Sequence, residues 1–262
     1  MAVIIDNNEI SVFTDATNLF EFAARDFSQR AIQAVNAKGF FSVVLSGGST
    51  PKAFFDTLTR NSDYISNIPW KNIQFFFGDE RYVPAEDAQS NYHMTNEHLF
   101  SKLPVNPENI YRIPTEFTNP KDAAIAYETT LRKVFHIDEN AFPLFDLVYL
   151  GLGDNAHTAS LMPFTDEVKE CIVNTHSHSL TASTYLTEGK MYRITLTPPA
   201  INNGKEIIFL VTGENKAAAV SEVLEGKYDP LQYPAQLIHN IHKKTLWYLD
   251  QAAAMNLTNV PS

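Results

Sequence analysis

The chain has 262 residues, 44% of them hydrophobic and 19% charged, with a formal net charge of −10. That is globular composition with enough residues for a sizeable core, and the acidity disfavours nucleic acid and anionic membranes as partners. No apolar run is long enough for a membrane span, MAVIIDNNEI is not a secretory leader, and the single cysteine, Cys171, rules out an internal disulfide, so a cytoplasmic location is expected.

Val3–Ile5 and Ile10–Phe13 read as short strands, and a long amphipathic helix is predicted from Ala16 to about Ala37. Lys38-Gly39 is its stop signal, a cation followed by a glycine. Phe40–Leu45 is a buried strand that ends abruptly in Ser46-Gly47-Gly48-Ser49-Thr50, and a helix follows over Thr50–Leu58. Ile73–Phe77 is a second buried strand, running into Gly78-Asp79-Glu80-Arg81. Ser90–Leu103 reads as a helix, Asn109–Ile113 as a short strand and Pro120–Phe135 as a helix with Ala124, Tyr127, Leu131 and Val134 on one face. Leu144–Leu150 is an apolar strand leading into Gly151-Leu152-Gly153. Strands at Arg193–Leu196 and Ile207–Val211, helices at Asn215–Leu224 and Ala235–Asn240, and a strand through Trp247 and Tyr248 complete the pattern.

Continuous apolar strands separated by helices predict an α/β fold: a mostly parallel sheet flanked by helices on both faces, with residues 1–262 as one domain. Ligands in such sheets collect at the carboxyl ends of the strands. Four strand ends carry unusual loops, SGGST, GDER, GLGDNAH and VTGENK, and they are expected to meet at one site.

In SGGSTP, Gly47 and Gly48 allow positive φ and close backbone approach. Ser49 or Thr50 can cap the following helix, and Pro51 suits its first turn. The helix N-terminus so formed suits a phosphate. The segment is neither a Walker loop nor a dinucleotide fingerprint, because the lysine and the glycine spacing are wrong. In GDER, Arg81 is expected to face a bound anion or a developing oxyanion, and Asp79 to orient a polar ligand group. His157, at the end of GLGDNAH and beside the small residues Thr158, Ala159 and Ser160, is placed as a general base. A helix is expected to start at those residues. Arg193 and Lys216 are further candidate phosphate ligands; Lys216 opposes a helix dipole there, so it needs an anion or a carboxylate such as Glu214. His93, His98, His176 and His178 lack the spacing and carboxylates of a metal set, and no metal is expected.

The ordered set SGGSTP, GDER with Ser90-Asn91-Tyr92 nine residues on, GLGxxxHTASLMP, RITLTPPAINN and GENKA resembles the 6-phosphogluconolactonases over nearly the whole chain. SGGSTP alone would mark only the wider group shared with glucosamine-6-phosphate deaminases. Those carry a tyrosine where Arg81 stands and an acid in an Asn-Glu-Pro segment where this chain has Ser160-Leu161-Met162-Pro163. The resemblance implies a Rossmann-like sheet and hydrolysis of 6-phosphoglucono-δ-lactone to 6-phosphogluconate, without a metal or organic cofactor. It implies His157 as the base that activates water, Arg81 and Asp79 in the catalytic set, and Gly47, Gly48, Ser49, Thr50, Asn91, Arg193 and Lys216 around the substrate and its phosphate. A phosphorylated sugar lactone is then the small-molecule partner; the oligomeric state is not implied. The family usually has Asp-Gly before the histidine, where this chain has Asn155-Ala156. Asn155 cannot stabilise an imidazolium as a carboxylate would, so either Asp154, one place earlier, or another acid compensates, or the base is weaker; Ala156 is expected to avoid positive φ. A deaminase or sugar-phosphate isomerase, and a non-catalytic sugar-phosphate sensor, are the alternatives.

Overall fold

A computed structural model describes residues 2–174, 177–186 and 190–259; His176, one of the histidines weighed for metal binding, lies outside them. The strands are β1 (Ala2–Ile5), β2 (Asn8–Phe13), β3 (Phe41–Leu45), β4 (Ile73–Phe77), β5 (Asp79–Arg81), β6 (Ile110–Tyr111), β7 (Leu147–Leu150), β8 (Thr181–Leu186), β9 (Met191–Leu196), β10 (Ile207–Val211) and β11 (Thr245–Asp250). The helices are α1 (Ala16–Lys38), α2 (Ser49–Arg60), α3 (Ser62–Asn67), α4 (Asn91–His98), α5 (Pro120–Phe135), α6 (Asp166–Val173), α7 (Pro198–Asn202) and α8 (Ala217–Leu224).

Eight strands form one sheet in the order β1-β2-β11-β10-β7-β3-β4-β6. Only β1 and β2 pair antiparallel within it. Every residue of β3, β7 and β10 is buried, which requires cover on both faces and explains their unbroken apolar runs. Successive phenylalanines of β4 show that cover. Phe76 meets Phe135 of α5 on one face, while Phe75 and Phe77 meet Phe100 on the other. The mostly parallel, two-sided α/β sheet expected from the sequence is present.

β3 has β4 on one side and β7 on the other, so the chain builds outward in one direction and then reverses. The reversal opens a crevice beyond the carboxyl ends of β3 and β7, where ligands bind in open α/β sheets.

Several predicted elements differ. The helix from Ser90 stops at His98; a short turn at Phe100–Lys102 follows, and Leu103 before Pro104 is extended. Ala235–Asn240 is no helix beyond a turn at Pro234–Leu237, because the Asn240 side chain accepts from His242 N and Lys243 N and holds a local turn instead. α8 begins only after a tight turn at Glu214–Lys216. The sequence reading also missed β5 and β8, which pair on either side of β9 in a separate antiparallel sheet. Among the described residues no helix is long and apolar enough to cross a membrane.

Candidate active site

The turn after β3 is shaped by its two glycines in different ways. Gly48 has φ 108°, a left-handed conformation that favours glycine. Gly47 does not; it is required by contact, because a Cβ there would lie 1.8 Å from Asn91 Oδ1. Ser49 and Thr50 do not cap α2, contrary to expectation. Gly48 is the N-cap and supplies no side chain, while Thr50 Oγ1 lies 3.0 Å from Thr212 Oγ1 at the end of β10. The first N–H groups of a twelve-residue helix are thereby left without a capping side chain, and they carry the positive end of its dipole.

Gly78 carries the chain from one sheet to the other. Its N–H donates to Leu45 O of β3 and its carbonyl accepts from Leu196 N of β9. GDER is therefore a strand of the second sheet rather than a loop. Glu80, buried, accepts hydrogen bonds from the backbone N–H groups of Arg81, Asn91 and Tyr92 and from Ser90 Oγ. Burial pushes its carboxyl above the usual range, against the pull of those backbone donors. Asp79, also buried, accepts from Ser160 Oγ at 2.7 Å and from Asn91 Nδ2 at 3.2 Å.

β5 pairs with β9 so that Arg81 stands directly opposite Arg193. Like charges across an antiparallel pair are unfavourable without an anion between or beside them. Arg81 Nη1 donates to Gln89 O, and Arg193 Nη1 is 3.9 Å from Asp79 Oδ2. The Nε of each arginine is buried without a partner. Burial lowers the affinity of Arg193 for its proton, opposed by Asp79 and reinforced by Arg81. Two facing guanidiniums are chemically suited to an anion.

The segment after β7 is irregular, and no helix begins at Thr158. Gly153 N donates to His157 O and Ala156 N to Gly153 O, closing a tight loop that projects the imidazole. Ala156 has φ 61°, against expectation. Its carbonyl is fixed by Ala235 N and its methyl is buried, so the surroundings impose the left-handed conformation on a non-glycine residue. Gly153 matters by contact: a Cβ there would fall 2.0 Å from His157 Nδ1.

Asn155 Oδ1 lies 2.6 Å from His157 Nδ1 and also accepts the His157 backbone N–H at 3.3 Å. A backbone N–H can only donate, so the atom facing it is the amide oxygen. Nδ1 therefore carries the proton, and Nε2 keeps its lone pair. Burial pushes the His157 pKa down to about 4; Asp79 opposes this, while Arg193 and Lys216 add to it. The ring is neutral near pH 7 and able to accept a proton.

Lys216 does not pair with Glu214. Its ammonium contacts the Asp154 carboxylate, which also accepts from Asn215 Nδ2. Lys216 holds the Asp154 carboxyl below the usual carboxylate range, and Asp154 is not hydrogen-bonded to His157.

All ten residues expected at the site, Gly47 to Thr50, Asp79, Arg81, Asn91, His157, Arg193 and Lys216, line one cavity of about 180 Å³. The donors of Asn91 are engaged by Asp79, so within that wall it acts as a brace. Thr212 of the cavity wall, Ser160 behind Asp79 and Glu80 beneath Arg81 were not singled out from the sequence. Glu80 and Thr212 lie within the flagged segments GDER and VTGENK, but what each touches is set by pairing and turns that the local sequence does not report. Among the described residues no group of three His, Cys, Asp or Glu could hold a metal ion.

The family described as glucosamine-6-phosphate isomerases/6-phosphogluconolactonase matches residues 14–247. The chain belongs to this family. A 6-phosphogluconolactonase of Synechocystis is 35% identical over 253 residues, covering 95% of this chain and 98% of the relative. A 6-phosphogluconolactonase of Haemophilus influenzae is 38% identical over 211 residues, covering 80% and 85%. The solved structure of the 6-phosphogluconolactonase of Trypanosoma brucei superposes with a TM-score of 0.81 at 27% identity, over 95% of this chain and 98% of that one. The resemblance expected from the sequence motifs, and the Rossmann-like architecture that it implied, are both present.

Proposed function

We propose that the chain hydrolyses 6-phosphoglucono-δ-lactone to 6-phosphogluconate, with the chain as one lactonase unit and His157 as its base. The observation that carries this mechanism is the neutral His157, with Nε2 unprotonated, lining one cavity with two arginines that face each other across β5 and β9. Nε2 takes a proton from a water whose oxygen attacks the lactone carbonyl carbon. The carbonyl oxygen gains negative charge, and Arg81 stabilises it. The tetrahedral intermediate collapses by breaking the bond between the carbonyl carbon and the ring oxygen. The His157 imidazolium returns its proton to that oxygen, and the new carboxylic acid loses its own to solvent. The N-terminus of α2, Arg193 and Lys216 hold the phosphate and fix the carbonyl relative to the base. Asp79, held by Ser160 and Asn91, anchors Arg193.

The test is hydrolysis of freshly generated lactone, measured above its spontaneous rate. Ammonia release from glucosamine 6-phosphate, with no acceleration of lactone hydrolysis, would overturn the assignment in favour of a deaminase.

Arg193→Ala and Lys216→Ala are expected to raise KM with a smaller change in kcat, because a phosphate remote from the carbonyl is gripped alike in ground and transition states. Steady-state kinetics on each variant checks this. A fall in kcat with KM untouched would remove that residue from the phosphate site.

The base must be unprotonated, so kcat/KM rises with pH through its pKa and is flat above it. For the free enzyme that limb lies near pH 4, below the unperturbed histidine value of about 6.5. Asn155→Asp places a carboxylate against Nδ1 and stabilises the imidazolium, which moves the limb up by roughly 1–3 pH units. The substrate phosphate has its own ionisation near pH 6, but that step is common to both proteins and cancels in the ratio of their profiles. Coincident acid limbs would show that residue 155 does not sense the base.

A further inference from the structure

Lys216 lines the cavity, yet in the free protein its ammonium is engaged by a carboxylate outside the cavity wall, that of Asp154. We propose that Asp154 is an affinity-setting residue, a built-in competitor that holds Lys216 and is displaced or shared when the substrate phosphate binds. The inference rests on the phosphate role of Lys216 stated above.

The two side chains differ in exposure in the direction the idea requires. Lys216 is 22% exposed and Asp154 is 65% exposed, so the acid lies on the solvent side of the lysine. An ammonium has three donors and a flexible stem, and can turn from one acceptor to another. Asn215 Nδ2 donates to Asp154 at 3.1 Å, so the carboxylate keeps a partner when the lysine leaves. Whether the lysine swings or is shared, the negative charge of Asp154 subtracts from the attraction felt by an incoming dianion.

The consequence has a definite sign. Removing an acid from an ion pair usually weakens the site it belongs to; here Asp154→Asn should strengthen anion binding. An exposed pair is worth about 0.2–1 kcal/mol, which corresponds to a gain of up to roughly fivefold. A carboxylate that instead holds Lys216 in its binding position would give the opposite sign.

The experiment is calorimetric titration of inorganic phosphate and of 6-phosphogluconate into four proteins: wild type, Asp154→Asn, Lys216→Ala and the double variant, with KM for the lactone alongside. The expected result is a Kd and KM about two- to fivefold lower for Asp154→Asn. Kd rises for Lys216→Ala, and the Asp154→Asn gain is largely lost in the Lys216→Ala background. An unchanged or higher Kd for Asp154→Asn overturns the proposal, as does the same gain in both backgrounds, which would reduce Asp154 to a general negative charge. If the wild type fails to hydrolyse lactone while the pattern of Kd values holds, the catalytic reading fails and this one stands.

Discussion

His157→Gln is expected to lower kcat by about 10²–10⁴-fold, the range for loss of a general base, with the affinity for 6-phosphogluconate nearly unchanged. Glutamine fills similar space but has no lone pair of useful basicity. The groups proposed to hold the phosphate come from other elements, the N-terminus of α2, β9 and the turn before α8, so they do not depend on the imidazole. The residual rate should lose the dependence on His157 ionisation. Rate measurements with freshly generated lactone, corrected for spontaneous hydrolysis, and a parallel binding titration of 6-phosphogluconate give the answer. A folded variant with wild-type turnover would remove His157 from the mechanism, whatever its position in the cavity.

A substitution that removes no polar group should be nearly as damaging. Gly153→Ala puts a methyl carbon 2.0 Å from His157 Nδ1, far inside contact distance. The ring must rotate away, which breaks the 2.6 Å contact with Asn155 Oδ1 and moves Nε2 from its place in the cavity that Arg81 and Arg193 also line. Misplacement by about 1 Å can cost on the order of 10²-fold, so kcat should fall by at least that much. Gly151→Ala is the comparison, because a Cβ there meets no protein atom within 4 Å, although the residue lines the same cavity; the His157 ring should stay in place in it. Both proteins are checked by thermal melting, so that loss of the base's position is separated from loss of the fold. Wild-type activity in a folded Gly153→Ala would mean that the loop relaxes freely and does not set the position of His157.

Much of this site was legible because its signals are local. A glycine pair at the end of a buried strand, a histidine after GLG and a lysine at a helix start can each be read within a few residues. The sheet was equally legible, since β3, β7 and β10 are buried on both faces and have no reason to alternate. The errors occurred where a distant group overrides a local preference. Ala156 takes a left-handed φ because Ala235 N fixes its carbonyl. Gly47 is a glycine because the Asn91 amide lies against it, not because of its own φ. Ser49 and Thr50 leave their helix uncapped, which keeps its donors available to a ligand.

By itself, the sequence determined the α/β sheet and the glycine-rich and charged strand ends that meet at one cavity, with His157 among them as the proposed base, since these follow from hydrophobic periodicity and from residue types adjacent in the chain. Only the tertiary structure decided how those groups are tuned. The pairing of β5 with β9 sets Arg81 against Arg193. Ser160 reaches Asp79 across 81 residues of chain, and Lys216 reaches Asp154 across 62. The tautomer and low pKa of His157 come from the Asn155 amide and from burial among those same residues. Coulombic and desolvation effects act through space over a few ångströms, so the spacing of residues along the chain does not report them.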